Sequence, residues 1–214
     1  MRALFAVLLS AASLAGCSGV TTAPYEEPAE SENTARVRVI TNSSVYGDAL
    51  ATNCAPAKRH AMAIAGRYTR DGRPSINYPQ YPLVSADLGM PKRIAPRLTQ
   101  YVAAIRMAEG LYTEVVGEYR VRTDWPFQVS TAGAVIGSYG STYTSCPAGA
   151  RLVNFEAGKD YEVLAGVLVT PDADGQEAIR CAFAVFELVS IPGTKYVLPK
   201  RLALREPPTT QCKN

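Results

Sequence analysis

The sequence predicts an all-β chain, mainly one antiparallel β-sandwich of about seven or eight strands. Three observations carry this reading. Short runs alternate apolar and polar residues with the period of a half-buried strand. Glycine and proline are frequent, 16 and 15 among 214 residues, and they punctuate the chain between those runs. Long helical patterns alternating with strands, which would indicate a parallel α/β sheet, are lacking.

In chain order, residues 35–41 (ARVRVIT) set Arg36 and Arg38 between Val37 and Val39, the pattern of a half-buried strand. Residues 58–65 (KRHAMAIA) place His60, Met62 and Ile64 on one face of another. The stretch 67–96 is long and irregular; its RDGRP, YPQYP and LGMP groups exclude long helices and central strands. Over 98–110, Leu98, Val102 and Ile105 recur at helical spacing, and the same stretch also supports a strand; we read one short helix there. Residues 115–122 and 126–137 (VVGEYRVR and PFQVSTAGAVIG) read as strands around the turn Thr123-Asp124-Trp125-Pro126, with a small-residue loop over 137–149. The clearest unit is C-terminal: strands at 150–155, 161–170 and 179–190 joined by turns at 157–160 and 171–175, an antiparallel meander. Residues 196–204 add one more strand, so the sandwich spans 35–205 and a tail covers 206–214.

Ahead of this domain, residues 1–16 form a secretory signal: Arg2, then an apolar stretch of thirteen residues ending in small side chains. As a helix it would rise about 20 Å, against a hydrocarbon core of about 30 Å. Leu14-Ala15-Gly16-Cys17 resembles the bacterial lipobox, which implies cleavage before Cys17 and acylation of that residue. Ser18 in place of Asp implies the outer membrane by the same analogy. Residues 17–34 then read as a lipidated cysteine on an acidic, solvated tether, with Glu26, Glu27, Glu30 and Glu32 and no basic residue. The membrane is therefore one expected partner, reached through the N-terminal lipid.

Without the signal the chain holds 21 basic and 19 acidic residues. A net charge so near zero argues against a nucleic-acid binder. Once Cys17 carries lipid, Cys54, Cys146, Cys181 and Cys212 remain, and an even number in an oxidising compartment reads as two disulfides. No Cys-x-x-Cys pair exists and His60 is the sole histidine, so no metal and no cofactor are expected. Serine catalysis needs a base and an orienting group; no Gly-x-Ser-x-Gly turn is present, and we read His60 as structural. Asp172-x-Asp174-Gly175 reads as a hairpin turn before a calcium loop. The densest polar–aromatic cluster is Arg67, Arg70 and Arg73 with Tyr68, Tyr78 and Tyr81, residue types enriched where proteins meet partners.

LGMP at 88–91, EYRVRTDWPFQV at 118–129 and SCPAGARLVNFEAGKDYEV at 145–163, followed by a strand carrying Cys181, resemble a group of proteobacterial envelope lipoproteins with no assigned activity. Their hallmark is a cysteine shortly before a G-K/R-D-Y-E-V hairpin and a second in the next strand. The resemblance implies architecture and address only. The chain departs from it by a shorter turn before Gly158, an insertion near 98–109 and the tail with Cys212.

Four cysteines allow three connectivities. We expect Cys146 with Cys181 and Cys54 with Cys212, the main rival being Cys54 with Cys146. A flat meander would hold Cys146 and Cys181 about 10 Å apart, whereas a disulfide needs Cα atoms within about 7 Å. The favoured bridge therefore requires 145–149 to curl over the sheet. The function expected is a non-enzymatic, lipid-anchored envelope module contacting a protein or glycan. The alternatives are an accessory lipoprotein of a secretion or envelope assembly, similar to the transthyretin-like lipoprotein of type VI systems, and an envelope-polymer hydrolase.

Overall fold

The computed structural model describes residues 21–29, 33–69, 71–93, 95–98, 101–102, 111–136 and 144–212. Among them the chain is all-β, without a helix. The first strands are β1 (Thr21–Pro24), β2 (Thr34–Thr41), β3 (Ser44–Ala49), β4 (Lys58–Ile64) and β5 (Arg67–Tyr68). There follow β6 (Tyr101–Val102), β7 (Leu111–Tyr112), β8 (Val115–Arg122), β9 (Phe127–Thr131) and β10 (Ala134–Ile136). The last are β11 (Thr144–Cys146), β12 (Gly149–Val153), β13 (Asp160–Pro171), β14 (Glu177–Ser190) and β15 (Val197–Arg201).

Two five-stranded sheets pack as a sandwich, with orders β1-β4-β3-β9-β12 and β15-β14-β13-β2-β8. Small β5-β7-β6 and β10-β11 sheets flank them. The sandwich is thus larger than expected and mixed rather than antiparallel, because β1 runs parallel to β4 and β2 parallel to β13. Alternation reports that a strand is half buried, but both directions of neighbour satisfy it. From one sheet Val37, Val39, Val121, Val163 and Val185 meet Val45, Met62, Phe127 and Val129 of the other, each at most 1 % exposed. Each such side chain contributes about 1.5–3 kcal/mol by leaving water. Gly47 makes room for this contact: a side chain there would collide with the Met62 sulfur and the Phe127 ring.

The expected meander is not formed. β13 and β14 pair from Tyr161 opposite Glu187 to Pro171 opposite Glu177. β12 instead pairs with β9 in the other sheet, and β2 takes the place beside β13. The cause is Phe155. Its ring is buried 4.7 Å from that of Tyr161, so the otherwise surface-exposed 154–159 connection is pinned to the core by this one side chain as it crosses between the sheets instead of reversing in one. Cys146, at the end of β11, is bonded to Cys181 of β14, with Cα atoms 5.4 Å apart. The bridge therefore ties the segment leading into one sheet to a strand of the other, and no flat meander has to be spanned. Cys54 is bonded to Cys212, with Cα atoms 5.0 Å apart.

Three boundaries also differ. Thr21–Pro24 form β1 in place of a tether, and Tyr25 packs edge-on against Tyr119 and Phe127 while its hydroxyl donates to the Arg120 carbonyl at 3.2 Å. One aromatic anchor plus strand pairing orders what acidic composition alone would leave solvated. The tail is held too: Ala55 bridges Gln211 beside the Cys54–Cys212 bond. Within the expected helix, β6 pairs with β7 and Leu98 bridges Leu168, because Leu98 is buried with Ile40 and Leu164. Residues 99–100 and 103–110 lie outside the described residues, as does Cys17.

Candidate partner-binding surface

The segment 66–98, between β5 and the bridge at Leu98, gathers most of the candidate residues. Its first half is zipped to the body through backbone. Tyr81 exchanges hydrogen bonds with Ile64, the Arg67 amide donates to the Tyr78 carbonyl at 3.0 Å, and the Ser75 amide to the Arg67 carbonyl at 2.8 Å. The Arg67 guanidinium lies 3.7 Å from the Tyr78 ring centre and 4.8 Å from that of Tyr112, a cation–π sandwich. Tyr68 donates to Gln80 at 2.9 Å. Of the expected cluster, then, Arg67, Tyr68, Tyr78 and Tyr81 come together. Arg73 stands apart on an exposed turn, paired with Asp71 at 2.7 Å, and Arg70 lies outside the described residues.

Beside this framework, sequence reasoning missed three residues. Ile76 is 95 % exposed, Leu83 80 % and Val84 86 %. Each forgoes about 1.5–3 kcal/mol available from burial, and three in nine residues is not the scattered exposure usual on soluble surfaces. The available signal was apolar residues in a proline-rich stretch without strand or helix period.

The second half, 85–98, is a strap clamped onto the outer face of the second sheet. Arg36 forms a bidentate pair with Asp160 at 2.6 and 2.9 Å and donates to the Leu88 carbonyl at 2.8 Å. Arg38 donates to the Met90 and Pro91 carbonyls and to Glu118, at 3.2, 3.0 and 2.7 Å. Glu118 in turn accepts the Leu88 amide at 2.7 Å. Glu162 is 1 % exposed, in contact with Arg93 and 3.6 Å from Arg38. Burial pushes its carboxyl above the usual range, against the pull of Arg93 and Arg38. The LGMP, EYRV and GKDYEV groups thus meet in one network. The strap leaves an open cleft of about 500 Å³ walled by Arg38, Lys92, Arg93, Glu114, Glu118 and Glu162.

On the first sheet His60 Nδ1 lies 2.6 Å from Asp48 Oδ1, and burial raises the Asp48 carboxyl against the hydrogen bond from His60. Such a pair can orient an imidazole; among the described residues no hydroxyl or thiol hydrogen-bonds that ring. Also among the described residues, no three His, Cys, Asp or Glu side chains group to hold a metal ion, and no helix is long and apolar enough to cross a membrane. No family model, curated protein or solved structure matches the chain.

Proposed function

We propose that the chain is a lipid-anchored cell-envelope module that binds a protein partner through the 74–84 loop, without catalysis. The observation that carries the binding surface is the exposure of Ile76, Leu83 and Val84 on a loop whose backbone is fixed by Arg67, Tyr78 and Tyr81. A fixed loop presents apolar side chains without a large ordering cost on association. Aliphatic groups suit a protein surface better than a glycan, which uses open aromatic faces, and one face of Tyr78 is already taken by Arg67. Support for the address comes from Leu14-Ala15-Gly16-Cys17 and from two disulfides, which persist in oxidising compartments.

Photo-crosslinking in the native envelope tests the reading, with the reactive residue at Ile76, at Val84, or at Ala173 in the β13–β14 turn. Discrete protein adducts should form from the first two positions, be lost on adding Leu83→Asp, and be absent from the third. Equal adduct patterns at all three positions, or none from 76 and 84, would reject it.

A further inference from the structure

We infer that one end of the sandwich, built by Trp125 and the tip of the β14–β15 hairpin, rests on the surface of the bilayer that anchors the chain. This inference rests on the lipidation of Cys17 proposed above and adds an orientation to it. β1 starts at Thr21, only four residues beyond Cys17. Fully extended, that link spans about 14 Å. The end of the domain at which β1 starts is therefore held close to the lipid head groups.

Strand register identifies what else lies at that end. Thr21 faces Lys58, where β4 starts. β3 is antiparallel to β4 and ends at Ala49, opposite Phe127, which faces Val153 at the end of β12. The Thr123–Pro126 connection feeds Phe127, and the 154–159 connection leads from Val153 to Asp160. Tyr161 lies opposite Glu187, so the final residues of β14 and the turn to β15 point the same way. These three loops, the 50–57 connection from β3 to β4 and the start of β1 thus share one end.

The chemistry of this end suits an interface. Trp125 is 37 % exposed, with the Arg122 guanidinium, itself paired with Asp124, 4.2 Å from its ring centre. Val189 faces Leu198 across the hairpin, and the Ile191 amide donates to the Tyr196 carbonyl, which sets four apolar side chains on one face. Tyr196 and Leu198 are 62 % and 60 % exposed. Lys58 and Lys195 stand exposed at the same end. Aromatic rings with basic neighbours are the residues that settle at the head-group level of a membrane. The acids in the near-end loops, Asp124 and Glu156, are paired with Arg122 and Lys159, whereas the turn at the far end of the β13–β14 pair carries Asp172, Asp174 and Glu177 with no Lys or Arg among them, a difference that favours this orientation over anionic lipid.

Trp125 is the sole tryptophan, which provides the readout. The natively processed full chain is reconstituted in phosphatidylcholine–phosphatidylglycerol vesicles with and without bromine on the upper acyl chain, and mass spectrometry reads the lipid on Cys17. Trp125 should lose most of its emission in brominated vesicles and shift to the blue. Tyr196→Asp with Leu198→Asp, at exposed positions, should restore the emission. In a second variant, Trp125→Phe with Ala173→Trp, the relocated tryptophan should stay unquenched. Lipid on Cys17 with Trp125 unquenched, or with position 173 quenched equally, overturns the orientation and leaves the anchor intact. An unlipidated Cys17 overturns both.

Discussion

The two halves of the 66–98 segment are built from similar residues and end in opposite states. The first half is fixed by its backbone and leaves Ile76, Leu83 and Val84 in water. The second is fixed by side chains, and in doing so buries charge: Arg38, Glu118 and Glu162 all lie beneath it. Neither half follows the simple rule of apolar inside and polar outside. What separates them is what lies underneath. The second half crosses an open sheet face that presents Arg36, Arg38, Glu118 and Glu162, whose charges need partners once covered, and the strap's own carbonyls and amides supply them. The first half leaves Ile76, Leu83 and Val84 largely uncovered by the described residues.

The strongest test of this contrast is Arg38→Ala. It leaves Glu118 and Glu162 short of a partner and frees the Met90 and Pro91 carbonyls at once. Removing one member of a buried charged network costs about 3–5 kcal/mol, and the urea midpoint should fall accordingly. A loss no larger than that of a surface substitution would mean that the strap contributes little to the fold.

A smaller effect is expected from pH. Burial raises the carboxyls of Glu162 and Asp48, so in the range above their ordinary values the folded state binds more protons than the unfolded state. Stability is then full below the ordinary carboxylate range and declines as pH rises through the raised values. Denaturation midpoints measured from acid to neutral pH should trace that decline. Glu162→Gln, which cannot ionise, should flatten its share, and an unchanged profile would assign the decline elsewhere.

The smallest effect belongs to the first half. Ile76→Asp with Val84→Asp changes two side chains that touch almost nothing, and surface substitutions of this kind stay within about 0.5 kcal/mol each. Thermal unfolding should be nearly unchanged in the isolated protein. A loss of several kcal/mol would show that these residues are held in the folded chain, and would remove the reason to regard the loop as a contact surface.

Much of the strand content was legible from residues. Runs such as 35–41 and 115–122 carry the two-residue period that a sheet imposes, because side chains of a strand point alternately to its two faces, and 161–170 is the short apolar run of a strand bounded by turns. Within 98–110, where the sequence predicts a short helix, the described residues are Leu98, bridged to Leu168, and Tyr101–Val102, paired as a strand; in a short apolar run helical spacing and strand alternation overlap, and the burial of Leu98 with Ile40 and Leu164 is not visible in sequence. Of the candidate surface, Arg67, Tyr78 and Tyr81 were found because their residue types stand out. Ile76, Leu83 and Val84 were not, because an aliphatic side chain in a loop has the same appearance in sequence whether it is covered or bare.

By itself the sequence determined the strand class, the small-residue turns and the Leu14-Ala15-Gly16-Cys17 motif, all properties of residues close together in the chain. Only the tertiary structure decided that β12 leaves β13 for the other sheet, that Thr21–Pro24 join it, and that Cys146 reaches Cys181 between the two. It also decided that Arg38, placed by alternation on the wet face of its strand, is buried. The reason is physical: period and propensity are local, whereas the partner of a strand edge and the cover of a sheet face are set by residues 50 to more than 100 positions away, such as Arg38 with Met90 and Arg36 with Asp160.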